Sequence, residues 1–155
     1  MQAVKLKKSN GFSLIEFLIV ISLIAIITAI AVPQFTRYTQ NNALQSAARE
    51  LAGDIQIIRQ RAMADSAAYT LQFLDNTRYT YTLPPNPAVI KNVTTLTDYP
   101  DITFGQTFPG SVIIFQPRGT MAQWGTITLT NNRGSTVLLT ASPPIGRINV
   151  EYTPD

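Results

Sequence analysis

An α+β fold, with one long N-terminal helix packed on a C-terminal antiparallel β domain, follows from three features of this sequence. Residues 12–32 read FSLIEFLIVISLIAIITAIAV, and Glu16 is the one ionisable group among those 21 positions. Residues 44–62 then repeat apolar side chains every three or four positions, and from residue 69 onward the repeat shortens to two. A spacing near 3.6 lines one face of a helix, whereas a spacing of two lines one face of a strand.

The first element is long enough to cross a bilayer. At 1.5 Å per residue, 21 helical residues reach ~31 Å, about the thickness of the hydrocarbon layer. Lys5, Lys7 and Lys8 precede it, and from Pro33 onward nine Arg and Lys face eight Asp and Glu. The net charge of +3 therefore belongs largely to the leader. A basic cluster beside a span keeps the N-terminus cytoplasmic and sends the rest outward. Glu16 needs a partner, because a charge within lipid costs roughly 2.5–3.5 kcal/mol on insertion scales.

Three readings account for this N-terminus. A secretory signal would use Ala29-Ile30-Ala31 as its cleavage site, although its apolar core is slightly long and contains Glu16. An uncleaved anchor explains the length and gives Glu16 no role. The third reading cuts between Gly11 and Phe12, which frees an amino group on the first residue of the helix, with Glu16 one turn further on. Within one chain that pairing is cramped. A neighbouring copy shifted along the axis would present its amine to Glu16 more directly, so the carboxylate would favour side-by-side packing of such helices.

Pro33 removes one backbone donor and is expected to break or kink the helix. Helical patterning nevertheless resumes at once: Leu44, Ala47, Leu51, Ile55, Ile58 and Ala62 share a face, while Arg49, Gln56, Arg59 and Gln60 fall largely off it. One helix is expected over about 12–64, apolar all round in its first half. Its amphipathic second half is expected to dock on the protein's own globular domain.

Strands follow. Tyr69, Leu71 and Phe73, a polar turn at Asp75-Asn76-Thr77, and Tyr79, Tyr81 and Leu83 predict a hairpin, which Pro84-Pro85-Asn86-Pro87 ends. Residues 88–110 are the least legible, with Ile102-Thr103-Phe104 the best strand there. Residues 112–115 form a short strand, Gln116-Pro117-Arg118-Gly119 a type I turn, and residues 126–130 a strand. Asn131-Asn132-Arg133-Gly134 turns into a strand over 135–140, and a last strand after Gly146 places Ile148, Val150 and Tyr152 on one face. Short antiparallel strands with one helix laid on them define the α+β class.

No enzyme is expected. With neither His nor Cys, the chain lacks the commonest acid–base group and the strongest side-chain nucleophile. No cofactor is implied, and no metal site: Asp98 and Asp101 flank Tyr99-Pro100 as turn residues, and two carboxylates fall short of the 6–8 oxygen ligands calcium takes. The absence of cysteine excludes disulfides and leaves an exported location open. Arg118, Arg133 and Arg147 lie on or beside turns. They would grip phosphates if those turns met at one end of the sheet, and are otherwise ordinary solvated residues.

The segment KKSNGFSLIEFLIVISLIAIITAIAVPQF resembles the N-terminus of type IV pilins and type II secretion pseudopilins. The resemblance implies cleavage after Gly11 by a prepilin peptidase, N-methylation of Phe12, an assembly role for Glu16, and Pro33 as the proline just past the apolar segment. Phe115-Gln116-Pro117-Arg118-Gly119 and Gly146-Arg147-Ile148 further resemble the C-terminal domain of the GspH/FimT group of minor subunits. Some FimT-type pilins bind DNA during natural transformation through Gly-Arg-x-Arg. Here the matching residues are Gly146-Arg147-Ile148-Asn149, so Arg147 carries over and the second arginine is missing.

The resemblance thus implies a leader over 1–11, a transmembrane and assembly helix over 12–32, an amphipathic helix over 33–65 and a pilin-like β domain over 66–155. The expected protein is a minor pilin or pseudopilin inserted in the bacterial inner membrane with its N-terminus cytoplasmic. It joins other such subunits in a pilus or type II secretion pseudopilus, as a periplasmic or cell-surface filament. The alternative is a DNA-binding minor pilin serving uptake, with Arg147, Arg118 and Arg133 as candidate contacts.

Overall fold

The structure is a computed structural model that describes residues 12–81, 89–92, 101–121, 123–143 and 147–154. One helix, α1, runs Leu14–Ala64 through Pro33. It is followed by β1 (Tyr69–Phe73), β2 (Arg78–Tyr81), β3 (Val89–Asn92), β4 (Thr103–Gln106), β5 (Val112–Phe115), β6 (Gly125–Thr130), β7 (Thr136–Ser142) and β8 (Arg147–Thr153). The chain divides into two compact units, the first ending at Arg37 and the second beginning at Tyr38.

α1 starts two residues later than the sequence pattern places it. Ser13 stands just before it, and its carbonyl accepts from the Glu16 N–H at 3.1 Å and the Phe17 N–H at 3.2 Å. Serine is a favoured residue at that boundary. Phe12 is therefore outside the helix. Pro33 does not end the helix, although a helix-interior proline costs ~3 kcal/mol in water. The other end is a left-handed stop: Ser66 has φ 49°, and the Ala67 N–H donates to the Ala62 carbonyl at 3.2 Å. This six-to-one bond is the Schellman arrangement, which pairs a carbonyl the helix leaves open.

In the second unit the expected helix face is buried. Leu44, Leu51, Ile55 and Ile58 lose essentially all contact with solvent, and burying each such side chain is worth ~1.5–3 kcal/mol. Arg49, Gln56 and Gln60 remain exposed, and the half-buried Arg59 donates from Nε to the Gly119 carbonyl at 3.1 Å.

The β domain is two sheets rather than one, in the orders β3-β2-β1-β5 and β4-β6-β7-β8, with every pairing antiparallel. The predicted hairpin is present, with Leu71 opposite Tyr81 and Phe73 opposite Tyr79. Within residues 88–110, strand β4 matches the Ile102-Thr103-Phe104 expectation, while β3 was not legible and is defined by its pairing with β2. Leu83 and the Pro84–Pro87 run lie outside the described residues. Both sheets and the helix enclose one core: the Phe73 ring meets Phe104 edge-on at 5.3 Å, which links β1 to β4.

The predicted turns close as expected. The Gly119 N–H donates to the Gln116 carbonyl at 2.8 Å, and the Gly134 N–H to the Asn131 carbonyl at 3.1 Å. Gly119 has φ +71°, a backbone conformation that calls for glycine, and it leaves room for the Met63 side chain beside it. On β8, Ile148 and Tyr152 pack on the core, while Val150 between them stays half exposed because β8 is an edge strand.

Candidate functional site

The first unit has an apolar surface that nothing within the unit covers. Phe12, Leu14, Ile15, Phe17 and the aliphatic residues through Val32 are all exposed, and α1 is long and apolar enough to cross a membrane. In water this surface would be strongly unfavourable, so it belongs against lipid or other apolar helices.

The hydroxyls on this segment carry their own solution to burial. Ser22 Oγ donates to the Leu18 carbonyl at 2.8 Å, Thr28 Oγ1 to Ile24 at 2.9 Å, and Thr36 Oγ1 to Val32 at 3.0 Å. With those bonds made inside the helix, these three side chains can leave water without stranding their hydroxyl donors.

Glu16 is exposed in the first turn of α1. Ser13-Leu14-Ile15-Glu16 has the order of a capping box, with serine before the helix and glutamate at its third position. Sequence reasoning considered Glu16 without Ser13, although this spacing was available to it. A carboxylate at that position also faces the positive end of the helix dipole, worth typically 0.3–1 kcal/mol. Gly11 and Lys5, Lys7 and Lys8 lie outside the described residues.

The three turn arginines do not gather into one patch. Arg147 pairs with Ser142, the last residue of β7, whereas Arg133 lies in the turn just before Thr136, the first. At 3.3 Å per residue the seven-residue strand separates those ends by ~20 Å. Arg133 also donates from Nε to Gln40 Oε1, beside Asn131 Nδ2 to Asn41 Oδ1 at 3.2 Å, so that turn is tied to α1. Arg118 is exposed on the turn after β5, in the other sheet. Gly146 and Asp98 are outside the described residues. Asp101 Oδ2 accepts from Asn132 Nδ2 at 2.9 Å, and among the described residues no cluster of His, Cys, Asp or Glu is arranged for a metal.

One buried ionisable residue escaped the sequence reading. Asp54, 4% exposed, sits on the apolar face of α1, three residues after Leu51 and four before Ile58. Tyr79 Oη donates to its Oδ2 at 2.6 Å, and Tyr81 Oη to its Oδ1 at 3.4 Å. A carboxylate within an otherwise apolar stripe was the available signal. Its place in the core marks it as a structural link between helix and sheet.

A family model described as Type II transport protein GspH matches residues 47–143, and a model of the prokaryotic N-terminal methylation motif matches residues 6–32. Among solved structures, the fold is similar to that of the type IV minor pilin FimU of Pseudomonas aeruginosa, in two crystal forms. One gives a TM-score of 0.58 at 22% identity, covering 74% of this chain and 92% of that chain. The other gives 0.54 at 22% identity, covering 70% and 92%. Comparison with curated proteins finds no match.

Proposed function

We infer the role of this protein from a plain premise: the chain belongs to the GspH family. It is a structural minor pilin or pseudopilin, a subunit whose work is assembly with other pilins into a filament. Family and fold are those of structural subunits. The observation that carries this reading furthest is the uncovered apolar surface of the first unit, joined to a methylation motif over the same residues.

The finer steps are proposals. A prepilin peptidase removes residues 1–11 by cutting after Gly11, and the new N-terminus on Phe12 is methylated. Before assembly, residues 12–32 hold the subunit in the inner membrane, N-terminus cytoplasmic, with 33–65 as the amphipathic helix and 66–155 as the β domain outside. Glu16 then meets the N-terminal amine of a neighbouring subunit. Support comes from the position of Glu16 in the first turn of α1 and from the intrahelical bonds of Ser22, Thr28 and Thr36. DNA contact is not part of this reading, because Arg133 and Arg147 occupy opposite ends of β7.

The test is mass spectrometry of the mature N-terminus. The expected chain begins at a methylated Phe12. A chain beginning at Val32 would instead establish the secretory-signal alternative, and one retaining residues 1–11 would remove the charge pair.

A further inference from the structure

The two charges that bound the apolar half of α1 are spaced to the thickness of a membrane. Residues 17–36 hold no ionisable side chain; Glu16 stands just before them and Arg37 just after. At 1.5 Å per residue the 21 steps from Glu16 to Arg37 rise ~31 Å, against ~30 Å for the hydrocarbon layer. The helix is continuous between them, and both side chains are exposed. A span over 12–32 instead draws Glu16 four positions, ~6 Å, into lipid, and leaves the exposed ring of Phe35 outside it.

The contents of 17–36 suit such an environment. The hydroxyls of Ser22, Thr28 and Thr36 already donate to carbonyls of the same helix. Gln34 lies three positions from Arg37, only ~4.5 Å along the axis from that end. Pro33 removes one backbone donor, a loss that membrane helices tolerate.

We propose that, before assembly, Arg37 docks in the phospholipid headgroup layer and the membrane-embedded window is 17–36. The inference rests on the membrane-spanning reading of the first unit, and it moves that span from 12–32 toward the C-terminus. The guanidinium matches lipid phosphates with paired N–H donors, while its stem lies along the apolar chains beneath. Glu16 then sits at the opposite boundary, where its carboxylate stays hydrated until a neighbouring subunit's amine reaches it. The window has a charged stop at each end. It cannot slide either way without drawing one of them into lipid.

The chain has no cysteine, so one introduced cysteine carries a spin label at one known place. Full-length protein is reconstituted in vesicles of phosphatidylethanolamine and phosphatidylglycerol. Label depth is read by power-saturation EPR with oxygen and a water-soluble nickel chelate, at each position from 19 to 34 in turn. The centre of 17–36 falls between Ile26 and Ile27, with Ser22 and Ala31 equidistant from it. The Ser22→Cys and Ala31→Cys labels should therefore lie at equal depth, with the deepest labels between them. A window of 12–32 would instead put the Ser22→Cys label deepest and the Ala31→Cys label ~13 Å shallower. That result overturns the proposal and leaves the membrane reading standing, whereas labels open to the chelate at every position overturn both. Arg37→Leu should shift the deepest label toward the C-terminus, making Ala31→Cys deeper than Ser22→Cys, and Arg37→Lys should keep the parent profile. An unshifted profile in Arg37→Leu, or an equal shift in Arg37→Lys, would overturn the docking of Arg37.

Discussion

Tyr79 donates its hydroxyl hydrogen to Asp54 Oδ2 at 2.6 Å, joining β2 to α1 by a buried bond between residues 25 positions apart. Hydrogen bonds to charged acceptors are worth ~1.5–3 kcal/mol, so Tyr79→Phe should destabilise the protein by about that amount in urea unfolding. The bond also sets an alkaline limit. Burial, then the bond to Asp54, raises the Tyr79 hydroxyl far above the ordinary tyrosine value. The folded form thus holds its proton where the unfolded chain loses it. This contribution is complete below about pH 10 and is lost as the pH rises further. Tyr79→Phe should flatten that alkaline loss relative to the parent.

Asp75 organises the first hairpin. Its Oδ1 accepts from the Thr77 N–H, Thr77 Oγ1 and the Arg78 N–H, each at 2.8 Å, and its Oδ2 accepts from Arg78 Nε at 2.7 Å. The Thr77 N–H, then the Arg78 side chain, hold the carboxyl well below the usual carboxylate range. A lowered folded value means a contribution present above about pH 4 and lost as the pH falls below it. Asp75→Ala should lower stability at pH 7 and show a shallower acid dependence below pH 4, measured by circular dichroism.

Ser66 adopts φ 49° where α1 ends. A side chain there costs ~1–2 kcal/mol relative to the right-handed form, and glycine returns part of that gain as backbone entropy. Ser66→Gly should therefore stabilise the protein by ~0.5–1 kcal/mol, read as a higher melting temperature.

Glu16→Ala should leave membrane insertion intact or improved, since it removes a charge from the apolar segment. Incorporation into filaments should fall, measured by immunoblot of sheared filaments against total membrane protein. Normal incorporation would remove the charge-pair role and leave Glu16 as a helix-capping residue.

Local chemistry made much of this protein legible. The long helix, expected over about 12–64 and observed over 14–64, was legible because its first half is a continuous apolar run of membrane-spanning length and its second half repeats apolar residues every three or four positions. The first hairpin, the Gln116–Gly119 turn and the strands from 125 onward were also readable from alternation and turn residues. The start of α1 was legible only to within a turn, at about residue 12 against the observed Leu14, because an apolar run carries no record of which carbonyl accepts the first helical bond.

Pairing between distant segments left no such trace. The placing of β4 in one sheet and β5 in the other, the position of β3 beside β2, and the separation of Arg133 from Arg147 all depend on which strands meet. Asp54 likewise reads as a flaw in an apolar stripe until β2 brings two tyrosine hydroxyls to it. Periodicity and residue type act over a few neighbouring positions and so reveal helix, strand and turn. Sheet order and buried partners arise from contacts between chain segments tens of residues apart, which only the assembled tertiary structure selects.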